Sequence, residues 1–184
     1  MAELSNSQLV VAAAFFALRE SEHFVIVGGV ALIALELIDR PTDDLDFSTD
    51  DPTRISNAAT ALIVTAGRNG WPVETIRSTA TFQRMKLTVD GETVRVDIAV
   101  DSPPRLRTVT TTIGPTLDPL ELAGRKLLAL FDRAAPRDFS DRPPCDSIAQ
   151  SSWRWHATST LDSTWPTLRT PWTALRRSAT ETFP

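Results

Sequence analysis

Two carboxylates one residue apart, Asp44 and Asp46, are the residues of this 184-residue chain best placed to do chemistry. On a short strand alternate side chains point to the same face, so the two anions lie side by side. They repel each other unless a cation lies between them, and Mg²⁺ accepts carboxylate oxygens as ligands. Upstream, Gly28-Gly29 ends the apolar run 24–27, and a glycine turn entering a helix exposes N–H groups to an anion. Together these features predict a site for a metal-bound nucleoside triphosphate.

A third carboxylate lies on a strand that alternation predicts. In 93–100 apolar residues occupy every second position, which puts Asp97 on the face opposite the core. Asp90-Gly91 predicts a hairpin between this strand and 82–89, because both residues tolerate positive φ. An isolated Asp-x-Asp is usually a solvated turn, and a lone strand aspartate is usually a surface residue. The Gly-Gly turn at matched distance favours a site instead.

The elements that must position these residues follow from hydrophobic periodicity and stop signals. We expect helices at 7–20, 30–38 and 52–66, with a fourth starting at Asp118. We expect strands at 24–27, 45–48, 73–78, 82–89 and 93–100. The second helix should stop before Pro41, because the residue ahead of a proline avoids helical angles.

Composition sets limits on the class of protein. The formal net charge of -4 argues against a broad basic face for nucleic acid, although a local basic groove remains compatible with it. The single cysteine, Cys145, fits a reducing cytoplasm and excludes a cysteine-rich zinc site. No apolar stretch reaches the roughly 20 residues that span a bilayer. The N-terminus lacks a basic region, so 10–18 is predicted as a helix rather than a signal peptide, and the protein as cytoplasmic.

The sequence changes character along its length. We expect a core domain at 1–115, a helical segment at 116–141 and an atypical tail at 142–184. The tail is rich in serine, threonine and proline, has no glycine or lysine, and holds four of the five tryptophans. Low-complexity linkers are usually poor in tryptophan. The hypothesis is that the tail is disordered or is read in a shifted frame relative to its relatives.

Two motifs carry a resemblance to a known family. The first is G-G-x-A at 28–31 followed by R-x-T-x-D-L-D-F at 40–47, and the second is L-A-x-x-K-L-x-A-L-x-x-R-x-x-x-R-D-x-x-D at 122–141. They resemble the nucleotidyltransferase toxins related to the abortive-infection AbiE system, the AbiEii or MenT type of the polymerase-β-like superfamily. The resemblance covers about 24–141. It implies an α+β nucleotidyltransferase fold, a mixed sheet flanked by helices, followed by a short helical segment and an irregular tail.

The resemblance also implies residue roles. Two Mg²⁺ ions would be held by Asp44, Asp46 and Asp97. The nucleoside triphosphate would be held by Gly28, Gly29, Arg40, Thr42, Lys86 and Lys126. Lys126 and the final-motif acid Asp138 join the three metal-binding acids as catalytic residues, with Asp141 left open as a rival to Asp138. Taken alone, Lys126 would more simply be part of a solvated basic face.

The function implied is that of a Mg²⁺-dependent toxin in a type IV-like toxin–antitoxin system. It would transfer a nucleotide from a nucleoside triphosphate to the 3′ end of tRNA and so block translation. The identity of the base is left open, and a pyrimidine is one option. Its other partner would be an antitoxin encoded next to it. Two alternatives stay open, a nucleotidyltransferase that modifies a protein and an inactive nucleotide- or antitoxin-binding module.

Overall fold

A seven-stranded mixed sheet organises residues 3–133, the part of the chain that the computed structural model describes. The strands are β1 Val25–Val27, β2 Asp44–Thr49, β3 Val73–Ser78, β4 Phe82–Val89, β5 Glu92–Val100, β6 Val109–Thr111 and β7 Gly114–Thr116. The helices are α1 Asn6–Phe16, α2 Gly28–Ala34, α3 Ile55–Arg68 and α4 Pro119–Arg133, with short 3₁₀ turns at Arg19–Ser21 and Pro52–Arg54. The strand order is β3-β4-β5-β2-β1-β7-β6. The predicted α+β architecture is confirmed.

The predicted strands agree with the structure more closely than the predicted helices do. β3 and β4 have the expected bounds, and the hairpin turn holds Asp90 at φ 51° and Gly91 at φ 80°. The second helix, however, stops at Ala34 rather than at 38. Glu36 has a φ of 58°, and Leu37 N donates to Leu32 O at 2.8 Å. A left-handed C-terminal turn therefore ends α2 well before Pro41 is reached.

Two short strands, β6 and β7, were not predicted. Each has three residues, which is too short for alternation to show in the sequence. β7 lies parallel to β1, and Thr116 Oγ1 donates to Ile26 O at 2.7 Å. The first helix also ends earlier than expected, at Phe16, and the third starts later, at Ile55 after its 3₁₀ turn.

The central strands separate an apolar face from a charged face. Val96 and Ile98 on β5, with Phe47 on β2, are buried on the side that packs against α1 and α3. The Phe15 and Phe47 rings stack with centroids 3.9 Å apart. The alternate residues of β2, β4 and β5 point the other way and include Asp46 and Asp97. The core face thus fixes the strands that carry the candidate acids. Among residues 3–133, no helix is long and apolar enough to cross a membrane.

A clamp between α4 and the segment 101–106 ties the end of β5 to the last described helix. Glu121 Oε2 accepts hydrogen bonds from the N–H groups of Arg105 and Leu106, each at 3.0 Å. Arg125 pairs with Glu121 and with Asp101, each at 2.6 Å. Burial alone would raise the pKa of Glu121, but the hydrogen bonds from Arg125 and the two N–H groups outweigh it and lower this pKa. The ionised carboxylate is therefore the form that holds the clamp.

Replacing Glu121 with Gln is expected to destabilise the protein by about 1–3 kcal/mol, because the buried guanidinium and two N–H groups lose a charged acceptor. Urea denaturation at pH 7 measures the change. Glu74→Gln is the matched control, since Glu74 is an exposed acid that pairs with Lys86 at 3.6 Å. The control should change stability by less than about 0.5 kcal/mol. Equal effects of the two substitutions would contradict a structural role for the clamp.

Candidate active site

The three candidate acids lie on two neighbouring parallel strands. β2 and β5 pair in a register that places Asp46 beside Asp97 and Asp44 beside Arg95. Since paired residues of adjacent strands point to the same face, the carboxylates of Asp44, Asp46 and Asp97 share the charged side of the sheet. The structure therefore brings together the three acids that the sequence singled out.

The Gly-Gly turn lies directly against this strand pair. Gly28 has a φ of +70°, and a methyl group in its place would collide with Asp46 Oδ2. A Cβ on Gly29 would lie 2.8 Å from Thr42 Oγ1. The carbonyl of Thr42 also accepts a hydrogen bond of 2.6 Å from Gln8 Nε2. The two glycines are needed because the acid strand and the loop before it occupy the space that side chains would fill.

Two arginines pair with two of the acids. Arg84 makes a bidentate contact with Asp97, with Nε 2.8 Å from Oδ1 and Nη2 2.6 Å from Oδ2. Arg95 forms an ion pair with Asp44. The sequence reasoning assigned no role to either arginine. The hairpin contained the signal, because counting back from Asp90-Gly91 in a two-residue turn places Arg84 opposite Asp97, as the structure confirms.

Asp46, the remaining acid, carries the negative charge that is not paired with an arginine in the described part of the chain. Burial raises the pKa of Asp46 to about 6, helped by the negative charges of Asp97 and Asp44 and opposed by Arg84 and Arg95. A carboxylate in this position is ionised at pH 7 only at a cost in free energy. A cation bound beside it would remove that cost.

The donor set fits a hard divalent cation. Three carboxylates supply oxygen ligands of the kind that Mg²⁺ prefers, and among the described residues Asp46 is the one of the three without an arginine in ion-pair contact. Within residues 3–133, however, no three acidic, histidine or cysteine side chains converge in a geometry ready for a metal. Asp44 and Asp97 are instead paired with Arg95 and Arg84.

The chain matches a known family over most of its length. The model of the nucleotidyltransferase AbiEii toxin family, of type IV toxin–antitoxin systems, matches residues 10–141. The chain belongs to the AbiEii family. The resemblance predicted from the two motifs is thereby confirmed, and the family is one of nucleotidyltransferase toxins. A comparison with curated proteins finds no match.

Solved structures share the fold of this AbiEii chain. JHP933 from Helicobacter pylori has a TM-score of 0.55 at 18% identity, with 76% of this chain and 66% of that chain covered. A candidate nucleotidyltransferase from H. pylori has a TM-score of 0.55 at 18% identity, with 77% and 67% covered. The present chain thus spans about two thirds of the length of these structures. At this identity the likeness shows the fold alone.

The remaining motif residues of this AbiEii chain lie in several places. Lys86 is on the charged face of β4. It pairs at 3.6 Å with Glu74 on β3, whereas Asp97 lies on β5, the other neighbour of β4. Arg40 Nη1 donates to Pro41 O at 3.1 Å. Lys126 is on α4, which packs against α2, the helix that begins at the Gly-Gly turn. Asp138 and its rival Asp141 lie outside the described residues. The nucleotide-binding and catalytic roles of all these residues stay predictions.

The stability of the metal-free protein is expected to depend on the ionisation of Asp46. Because the folded pKa of about 6 lies above the ordinary 3.8, the folded protein binds the proton more tightly than the unfolded chain. The penalty from Asp46 is absent only below about pH 3, is mostly established by about pH 6, and is complete above about pH 7, where it reaches about 2–3 kcal/mol. The stability gap between Asp46→Asn and wild type in EDTA should widen with pH over this range. Chemical denaturation at four pH values measures it, and a gap that stays constant would contradict the assignment.

Proposed function

We propose that this chain is a metal-dependent nucleotidyltransferase toxin that transfers a nucleoside monophosphate from a nucleoside triphosphate to a hydroxyl group. The observation that carries the proposal is the juxtaposition of Asp44, Asp46 and Asp97 on paired strands, directly against Gly28. Membership of a nucleotidyltransferase family supports the same chemistry. The core domain at 1–115 would hold the acids, and the segment at 116–141 would add Lys126 and Asp138.

The acids of the strand pair would hold Mg²⁺, in two sites by resemblance to the family. The metal supplies charge neutralisation for the triphosphate and a lowered pKa for the attacking hydroxyl. The backbone N–H groups of the Gly28-Gly29 turn would face the phosphates, because a glycine turn entering a helix exposes such groups to an anion. Lys126, with Arg40, Thr42 and Lys86, would add contacts to the nucleotide.

The reaction is an in-line displacement at the α-phosphorus. The acceptor hydroxyl oxygen forms the new P–O bond and gives up its proton to the carboxylate cluster. Pyrophosphate leaves with the electron pair of the broken bond. The chain's residues contribute positioning and charge stabilisation rather than a covalent intermediate.

The 3′ end of tRNA is the acceptor that we propose, and an adjacently encoded antitoxin is the proposed partner. The antitoxin rests on the family, whose systems pair a toxin with an antitoxin. The tRNA acceptor rests on the resemblance drawn from the sequence motifs. The purified chain is incubated with Mg²⁺, total tRNA and each α-labelled nucleoside triphosphate in turn, with a lysate fraction free of RNA as a second acceptor. Label on tRNA 3′ ends supports the proposal and identifies the base. Label on protein only would mean that the acceptor is a protein. Nucleotide binding without any label transfer would indicate an inactive binding module.

A further inference from the structure

The contact between Arg84 and Asp97 has the geometry of a tight ion pair at the edge of the solvent. The guanidinium approaches both carboxylate oxygens, at 2.8 and 2.6 Å. The Asp97 side chain is only 11% exposed, whereas that of Arg84 is 40% exposed. The Arg84 guanidinium carbon also lies 5.3 Å from the centre of the Phe82 ring. The acid is therefore fixed in the strand, while the arginine has solvent available on one side.

The second pair, Arg95 with Asp44, is less well made. Arg95 contacts Asp44 through Nη2, whereas Arg84 contacts Asp97 through two nitrogens. A single contact gains less than a bidentate one. Arg84 is consequently the stronger competitor for a carboxylate of the site.

We propose that Arg84 is an exchangeable counter-ion, which pairs with Asp97 in the metal-free protein and is displaced when a divalent cation binds. The inference rests on the proposed function, because it concerns the same three acids. Its basis is that the bidentate guanidinium occupies one side of both Asp97 oxygens and places a positive charge against them, which opposes the approach of a second cation. Metal binding is then an exchange of cations, with Arg84 as a positioning residue that acts through Asp97.

The charges of the neighbouring acids and arginines support the exchange. Two guanidinium groups leave the three carboxylates with a net charge of about −1, which is a weak site for a divalent cation. Moving Arg84 away restores a full negative charge at the position where the metal is held. The half-exposed side chain can make this movement without disturbing the buried core face of β4, where Met85 and Leu87 lie.

Mn²⁺ binding to the purified 184-residue chain tests the proposal, measured by titration calorimetry without nucleotide. Arg84→Ala is expected to bind Mn²⁺ more tightly than wild type by roughly three- to tenfold, because a competing charge beside a partly exposed site is gone. Arg77→Ala is the matched control. Arg77 faces Arg84 across the β3–β4 pair and also lies over Phe82, at 5.4 Å, but makes no hydrogen bond or ion pair with Asp97 among the described residues. The control should change the affinity by less than twofold.

A thermal readout separates exchange from a purely structural role. In EDTA, Arg84→Ala should melt below wild type, because Asp97 is left buried without its partner. Saturating Mg²⁺ should restore most of that difference. A melting temperature lowered equally in EDTA and in Mg²⁺ would mean that Arg84 is only structural. If Arg84→Ala does not fold, Arg84→Gln removes the charge but keeps a donor, and it should show the same increase in affinity.

The outcomes distinguish this inference from the function on which it rests. Absence of Mn²⁺ binding by the wild-type chain would contradict both the proposed metal site and the exchange. A wild-type chain that binds Mn²⁺, with Arg84→Ala binding equally or more weakly, would overturn the exchange alone. Tighter binding by Arg84→Ala and not by Arg77→Ala supports it.

Discussion

Replacing Asp46 with Asn is expected to abolish nucleotidyl transfer while making the metal-free protein more stable. Activity should fall by roughly 10³-fold or more, since a metal ligand is lost and metal stabilisation of the transition state is worth several kcal/mol. Stability in EDTA at pH 7.5 should rise by about 1–3 kcal/mol, because the substitution removes a charge whose pKa is raised to about 6 by burial and by two neighbouring acids. Labelled-nucleotide transfer and urea denaturation measure the two effects.

Asp43→Asn is the matched control for this substitution. Asp43 is exposed and precedes the acid pair, so the same change of chemistry there should leave transfer and stability close to wild type. Saturating Mg²⁺ should stabilise wild type and the control but not Asp46→Asn. Wild-type transfer activity in Asp46→Asn, or a loss of stability in EDTA, would contradict the role of Asp46 as a metal ligand with a costly buried charge.

The second large effect is expected at a position that carries no side chain. Gly28→Ala should reduce transfer by roughly 10²-fold, because the added methyl group collides with Asp46 Oδ2 and displaces the carboxylate. It should also destabilise the protein by about 2–4 kcal/mol, combining the collision with the strain of alanine at a φ of +70°. Transfer rates and unfolding free energies are measured on the same preparations.

Gly70→Ala separates the two causes. Gly70 has the same φ of +70°, but no atom outside its chain neighbours lies within 4 Å of a Cβ placed there. This control therefore carries the backbone strain without the collision, and should cost about 1–2 kcal/mol with transfer unchanged. Similar losses of activity in both variants would mean that strain, rather than contact with Asp46, explains the requirement for glycine.

Local sequence was enough to predict the acids and the strands that carry them. Alternation over 93–100 put Asp97 opposite the core, and the Asp90-Gly91 turn fixed the hairpin, because both signals depend on neighbouring residues only. The pairing of β2 with β5 could not be predicted from local sequence. It joins residues about fifty positions apart, and no local pattern specifies which strands become neighbours.

Other parts of the site depend on tertiary contacts that leave little trace in the sequence. The hairpin register places Arg84 opposite Asp97, whereas the resemblance points to Lys86, two residues later. The early end of α2 depends on a left-handed Glu36, a residue type that gives no warning of that conformation. The close approach of Thr42 to Gly29 requires the folded loop, so composition could suggest a turn there but not what fills it.

The hydrogen bond from Gln8 Nε2 to the carbonyl of Thr42 makes the first turn of α1 a support for the loop that precedes the acids. Gln8 also closes the cap of α1, where its side chain accepts from Ser5 N at 2.9 Å and its N–H donates to Ser5 Oγ at 3.2 Å. One amide group therefore couples fraying of this helix end to the loop before the acids. For anyone preparing the protein, an affinity tag fused close to Ser5 would act, through Gln8, on the loop that precedes the candidate acids.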